Sequence, residues 1–125
     1  MKSIDSNALG NNDLQFDIGT IEENQDQFIV DGWAFIRNTD TRGAKINLIL
    51  QGKGMIYKIN TDIINRSDLI SYFKNPLLGY GGFSVIIPKS KLPEGTYSVG
   101  VEVICCDGKK QSVQFGAKKI KIDAQ

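Results

Sequence analysis

Arg66 and Asp68 stand two residues apart. A guanidinium so close to a carboxylate can tie loop carbonyls together or present a polar corner to a ligand. Stacking of a sugar ring needs a partly exposed aromatic face with polar groups beside it, and Tyr72 and Tyr80 flank a segment that also holds Asn75. Arg66, Asp68, Tyr72, Asn75 and Tyr80 are therefore the candidate ligand-binding residues, with weak carbohydrate binding as the expected chemistry. The structural alternative makes Arg66 and Asp68 a clamp, Asp68 on a helix amino terminus and the Arg66 side chain on carbonyls near Gly79 to Gly82. Trp33 is assigned to the core, because it follows Asp31-Gly32 on a strand whose alternation continues through Phe35.

Catalytic chemistry is harder to find. The chain contains no His, which removes the commonest general base and the commonest metal ligand. No metal and no cofactor is expected. Gly52-Lys53-Gly54 and Gly79-Tyr80-Gly81-Gly82 are glycine-rich, but neither lies between a strand and a long helix with a phosphate-loop Lys-Ser/Thr pair, so both read as turns. Asp13, Asp17, Glu22, Glu23, Asp26 and Asp31 cluster early, where a solvated strand edge explains them as well as a two-carboxylate glycosidase would. Cys105 and Cys106 are the two cysteines. On an extended strand neighbouring side chains point to opposite faces, which predicts one buried and one exposed thiol that cannot pair, and fits a reducing compartment. The chain is read as a non-enzyme.

The elements that position these residues repeat with period two. Leu14, Phe16 and Ile18 alternate with polar residues, and a second strand runs over residues 27–36. A turn at Lys53-Gly54 places Leu50 opposite Tyr57 and Leu48 opposite Ile59. Asn65 is expected to cap a helix of one or two turns, inserted around residues 66–73 and stopped by Asn75-Pro76, with Leu69 and Phe73 on its buried side. Phe83, Val85 and Ile87 share a strand face, as do Tyr97, Val99, Val101, Val103 and Cys105. For the last hairpin, a bulge near Lys109 is expected to set Val103 opposite Val113, because a two-residue turn at Asp107-Gly108 would set it opposite Ser112. About seven strands and one short helix predict an all-β fold, an immunoglobulin-like antiparallel sandwich of two sheets. Residues 13–123 are read as one domain behind a flexible lead, residues 1–12.

The totals narrow the function class. A chain of 125 residues is the size of one domain. Fifteen basic and fourteen acidic residues leave a net charge of +1, against the concentrated cationic face that nucleic acid requires. The densest basic runs, Lys109-Lys110 and Lys118-Lys119 with Lys121, read as a solvated strand face. No segment approaches the roughly 20 apolar residues of a membrane span. With no secretory signal in these residues the expected location is cytoplasmic, although the sequence can equally be a piece of a larger membrane-associated protein.

Val30-Asp31-Gly32-Trp33-Ala34-Phe35, Arg66-x-Asp68-Leu69, Gly82-Phe83-Ser84-Val85-x-Ile87-Pro88 and Leu92-x-x-Gly95-x-Tyr97 follow one another in order. This set resembles small β-sandwich modules attached to bacterial glycosyltransferases and other cell-surface polysaccharide proteins, over roughly Phe28 to Val103. Ile36-Arg37-Asn38-Thr39 departs from the acidic, Pro-containing loop common there. The resemblance implies a non-catalytic accessory module, draws attention to Trp33, Arg66, Asp68 and Phe83, and suggests a carbohydrate or a neighbouring glycosyltransferase domain as partner. The rival expectation is a structural or protein-interaction sandwich with no small-molecule ligand.

Overall fold

The computed structural model describes residues 13–123. The expected lead, residues 1–12, lies outside them. Eight strands form two antiparallel four-stranded sheets. Sheet one runs β1 (Leu14–Glu23), β2 (Gln27–Ile36), β6 (Gly82–Pro88), β5 (Asp62–Ile64); sheet two runs β4 (Met55–Asn60), β3 (Lys45–Gly52), β7 (Gly95–Cys105), β8 (Lys110–Ile122). This is the strand order of an immunoglobulin-type sandwich with one strand added beside the third. The strand beyond the expected seven is β5, three residues pairing with Gly82 to Ser84.

Alternation builds the core. Val30, Ala34 and Ile36 on β2, Phe83, Val85 and Ile87 on β6, and Leu48, Leu50, Val99, Val101 and Val103 on sheet two all point between the sheets and are buried. Each of these side chains larger than Ala contributes roughly 1.5–3 kcal/mol by leaving water. Leu50 pairs with Tyr57 and Leu48 with Ile59, the register expected for the Lys53-Gly54 turn, where Gly54 takes a positive φ of 73°.

Trp33 is not between the sheets. The inward positions of β2 are even-numbered, so Trp33 and Phe35 emerge on the outer face of sheet one. There a second apolar cluster forms, with Phe35, Leu69 and Leu78 buried and Trp33 and Phe73 partly so. The Trp33 ring lies 5.7 Å from Phe35 and 5.3 Å from Phe73. The lid over this cluster is α1 (Ser67–Phe73) and the 3-10 turn Pro76–Leu78. A seven-residue helix is too short to hold itself in water, so its order derives from this docking. Trp33→Ala should then cost about 2 kcal/mol, below the 3–5 of a fully buried ring. It should also raise amide exchange across residues 66–81 selectively, and uniform exchange across the whole sandwich would contradict this placement.

Asn65 does not cap α1. Arg66 occupies that position with a non-helical backbone (φ −129°, ψ 82°) and no side-chain cap bond, because its own N–H donates to the Gly79 carbonyl at 2.7 Å and fixes residue 66 as the entry point. Helix α1 ends at Lys74, in the left-handed region at φ 53°, and Asn75 then caps the 3-10 turn by accepting the Leu77 N–H at 3.0 Å.

The last hairpin also departs from expectation. Val103 faces Ser112 and Val101 faces Gln114, while Val113 sits opposite Glu102. Val113 is nonetheless buried, because it finds cover on the outer face of sheet two. Phe115 lies there across Gly100, so closely that a Cβ on Gly100 would meet its ring at 2.7 Å. The irregularity in β8 comes later, opposite Ser98 to Gly100, after which Ile120 and Ile122 enter the core. At that point the Lys118 ammonium donates to the carbonyls of Ile18 and Gly19, where β1 is itself bulged, and ties the free edges of the two sheets together.

Candidate functional site

A cleft of about 220 Å³ opens where the end of β2 passes under the exit of α1. Its floor is Phe35, Phe73 and Leu78, and its rim is Gln15, Arg37, Asn38 and Asn75. Each group has a local cause. Phe35 is delivered by the outward phase of β2, and Phe73 by the last turn of α1, its ring 5.1 Å from Phe35 in edge contact. Arg37 and Asn38 follow β2 directly. Asn38 adopts φ 64°, a left-handed conformation that Asn tolerates, and the turn is closed by the Thr39 N–H donating to the Ile36 carbonyl at 3.2 Å. The Asn75 Oδ1 is committed to the Leu77 N–H, which leaves its amide NH2 as the donor available to a ligand.

The rim thus combines three amides and a guanidinium above a half-buried aromatic ring. Amides offer both donors and acceptors, as hydroxyl-rich ligands need, and an apolar floor takes the C–H face of a sugar ring. The volume lies below the roughly 300–1,000 Å³ of drug-sized sites, so one ring at most is enclosed.

The five expected residues are not gathered in one place. Asn75 lines the cleft. Arg66 and Asp68 lie at the opposite end of α1, which at 1.5 Å per residue is about 10 Å away. Their side chains close on each other, Arg66 Nε to Asp68 Oδ1 at 2.8 Å and Nη2 to Oδ2 at 2.7 Å. The guanidinium holds the Asp68 carboxyl below the usual carboxylate range, with Asp68 64% exposed and Arg66 33%. The expected clamp is realised differently, since the backbone of Arg66 meets Gly79 while its side-chain stem packs where a Cβ on Gly82 would be. Tyr72 is 79% exposed and meets the Phe73 ring edge-on at 4.8 Å. Tyr80 is exposed on the side of the β2–β3 loop, its N–H donating to Thr41 Oγ1 at 3.0 Å.

Gln15, Phe35, Arg37, Asn38 and Phe73 were not singled out as ligand residues by sequence reasoning. The available signal was the run Trp33-Ala34-Phe35-Ile36, apolar on both strand faces, which requires something to cover the outer face of the sheet.

Two further clefts follow the seams between the sheets. One of about 610 Å³ is lined by Ile21, Glu23, Phe28 and the segment from Lys118 to Lys121 with Asp123; the other, of about 200 Å³, lies among Tyr57, Ile59, Ile86 and Leu92. Of the three clefts, only the one of about 610 Å³ carries two carboxylates, and each has a lysine partner, Glu23 with Lys89 at 2.7 Å and Asp123 with Lys121 at 3.8 Å. Among the described residues no group of three His, Cys, Asp or Glu is placed to hold a metal ion, and no helix is long and apolar enough to cross a membrane. No family model, curated protein or solved structure matches the chain.

Proposed function

We propose that this sandwich is a non-catalytic accessory module of a bacterial surface-glycan system, binding carbohydrate weakly and so positioning an enzyme beside its polymer. The observation that carries the reading is the aromatic-floored, amide-rimmed cleft of Phe35, Phe73, Gln15, Arg37, Asn38 and Asn75. The resemblance of the ordered motifs to those of glycosyltransferase-associated modules supports it. The lining holds no carboxylate that could act as general acid or nucleophile, so the chemistry suits recognition rather than bond cleavage.

A shallow one-ring site with a single half-exposed aromatic should bind in the high micromolar to millimolar range, about 4–5 kcal/mol. Phe73→Ala removes the floor and Arg37→Ala removes the charged rim. Each should weaken a mono- or oligosaccharide detected by titration at least fivefold, while Tyr72→Ala and Asp68→Ala leave affinity unchanged. Loss of binding in the Asp68 variant with retention in the Arg37 variant would move the site to the far end of the helix.

A second reading has its own observation. Ile86 is 56% exposed beside the small seam cleft, and Ile63 and Ile64 are exposed on the adjacent three-residue edge strand, so this flank offers apolar surface to a protein partner. It becomes the preferred reading if no sugar binds.

A further inference from the structure

The sequence expectation that Cys105 and Cys106 point apart rests on an extended backbone through both residues. The strand stops at Cys105 instead. Cys106 takes φ 59°, Asp107 57° and Gly108 82°, three consecutive left-handed residues that curl the chain into the β7–β8 turn. Alternation is thereby broken at the peptide between the cysteines, and their sulfurs come to 2.7 Å. A formed disulfide has about 2.0 Å.

The two thiols differ in environment. Cys105 is buried and Cys106 exposed. Burial pushes the Cys105 thiol up to about 11, with the hydrogen bond to Cys106 acting in the same direction, so Cys105 stays protonated at neutral pH. The outer sulfur is thus accessible to reagents, and the inner one is held in contact behind it.

We propose that Cys105 and Cys106 form an oxidisable vicinal dithiol, a modification site that closes to an intramolecular disulfide under a hydroperoxide-class oxidant. The Cys106 thiolate attacks one oxygen of hydrogen peroxide, breaking the O–O bond to give a sulfenic acid and hydroxide, which takes up a proton to become water. The Cys105 sulfur then attacks the Cys106 sulfur, the S–S bond forms, and the sulfenic hydroxyl leaves with the Cys105 proton as a second water. Two thiols and one peroxide become one disulfide and two waters. Adjacent trans Cα atoms are about 3.8 Å apart, shorter than the roughly 4.4–6.8 Å of relaxed disulfides, so the ring is strained and easily reduced again. Strained, accessible disulfides belong to the labile class with more oxidising potentials, which makes the site reversible rather than a structural staple.

The direct test treats the reduced folded chain with one equivalent of hydrogen peroxide and follows intact mass and alkylatable thiols after unfolding. The expected result is a loss of two hydrogens per chain, with both thiols disappearing together and both restored by dithiothreitol. In Cys106→Ser, Cys105 should remain alkylatable after unfolding at peroxide exposures that fully oxidise the parent. Addition of oxygen to Cys106, or a disulfide between two chains, with Cys105 still reduced, would overturn the proposal. So would oxidation of Cys105 in the Cys106→Ser variant as fast as in the parent.

Discussion

Replacement of Phe83 by Ala is expected to destabilise the sandwich by about 3–5 kcal/mol, the cost of emptying a well-packed aromatic site. Phe83 is 1% exposed and lies opposite Gly32 on the central pair of sheet one. The two residues are complementary. A Cβ on Gly32 would stand 2.9 Å from the tip of the Phe83 ring and would also collide with the Asp17 carbonyl, at the place where β1 bulges past β2. Gly32→Ala should therefore be destabilising too, by about 1–3 kcal/mol, because the backbone oxygen it meets cannot move aside as a side chain can. Urea midpoints for both variants check this. A Phe83→Ala protein within about 1 kcal/mol of the parent would mean that the core relaxes around the loss far better than this packing allows.

The second large effect concerns Glu102, a carboxylate only 3% exposed on the outer face of sheet two. Burial pushes its pKa up, but donors from three strands reverse the sign. Asn47 Nδ2 at 2.9 Å, Lys58 Nζ at 3.0 Å and Gln111 Nε2 at 2.5 Å together hold the carboxyl below its usual range. A group whose folded pKa is depressed stabilises the fold above its unfolded value, about 4.3 for Glu, and loses that contribution as pH falls through the folded value. Glu102→Gln removes the charge and keeps the shape. It should cost about 1.5–3 kcal/mol at pH 7, the range for hydrogen bonds to a charged group. The gap between parent and variant should then narrow as pH falls below the unfolded value of about 4.3 toward the depressed folded value, where the parent carboxyl protonates. Chemical denaturation at pH 7 and pH 3 measures both ends, and a constant gap between the two proteins would show that the charge is not what the network stabilises.

Where the inward face of a strand was marked by alternating apolar residues, the register of that face was readable. Gln27–Ile36, the Lys53-Gly54 hairpin, the Phe83-Val85-Ile87 face and the Tyr97 to Cys105 face all follow from period-two alternation, which fixes register by penalising a one-residue slip. Readings failed where a strand was covered on both sides. Trp33 is expected inward from its place after Asp31-Gly32 on an alternating strand, and no local signal shows that α1 covers the outer face instead; Val113 is expected opposite Val103 to avoid facing Val103 with Ser112, and burial on the outer face of sheet two likewise has no local signal. The cysteines illustrate a third limit. Their approach depends on a left-handed turn that begins one residue before the Asp107-Gly108 signal. Of the candidate site, Asn75 was visible as a polar residue at the helix exit. Arg37, Phe35 and Phe73 were separate elements until the helix docked, so their convergence belongs to tertiary structure.

The central claim is tested most directly by amide chemical-shift mapping of the isotope-labelled chain against a panel of neutral and acidic sugars up to millimolar concentration. Saturable shifts confined to Gln15, Phe35, Arg37, Asn38, Phe73 and Asn75 are the predicted result. Shifts confined to the lysine-lined seam around Lys118 to Lys121, or no response from any sugar, would contradict it.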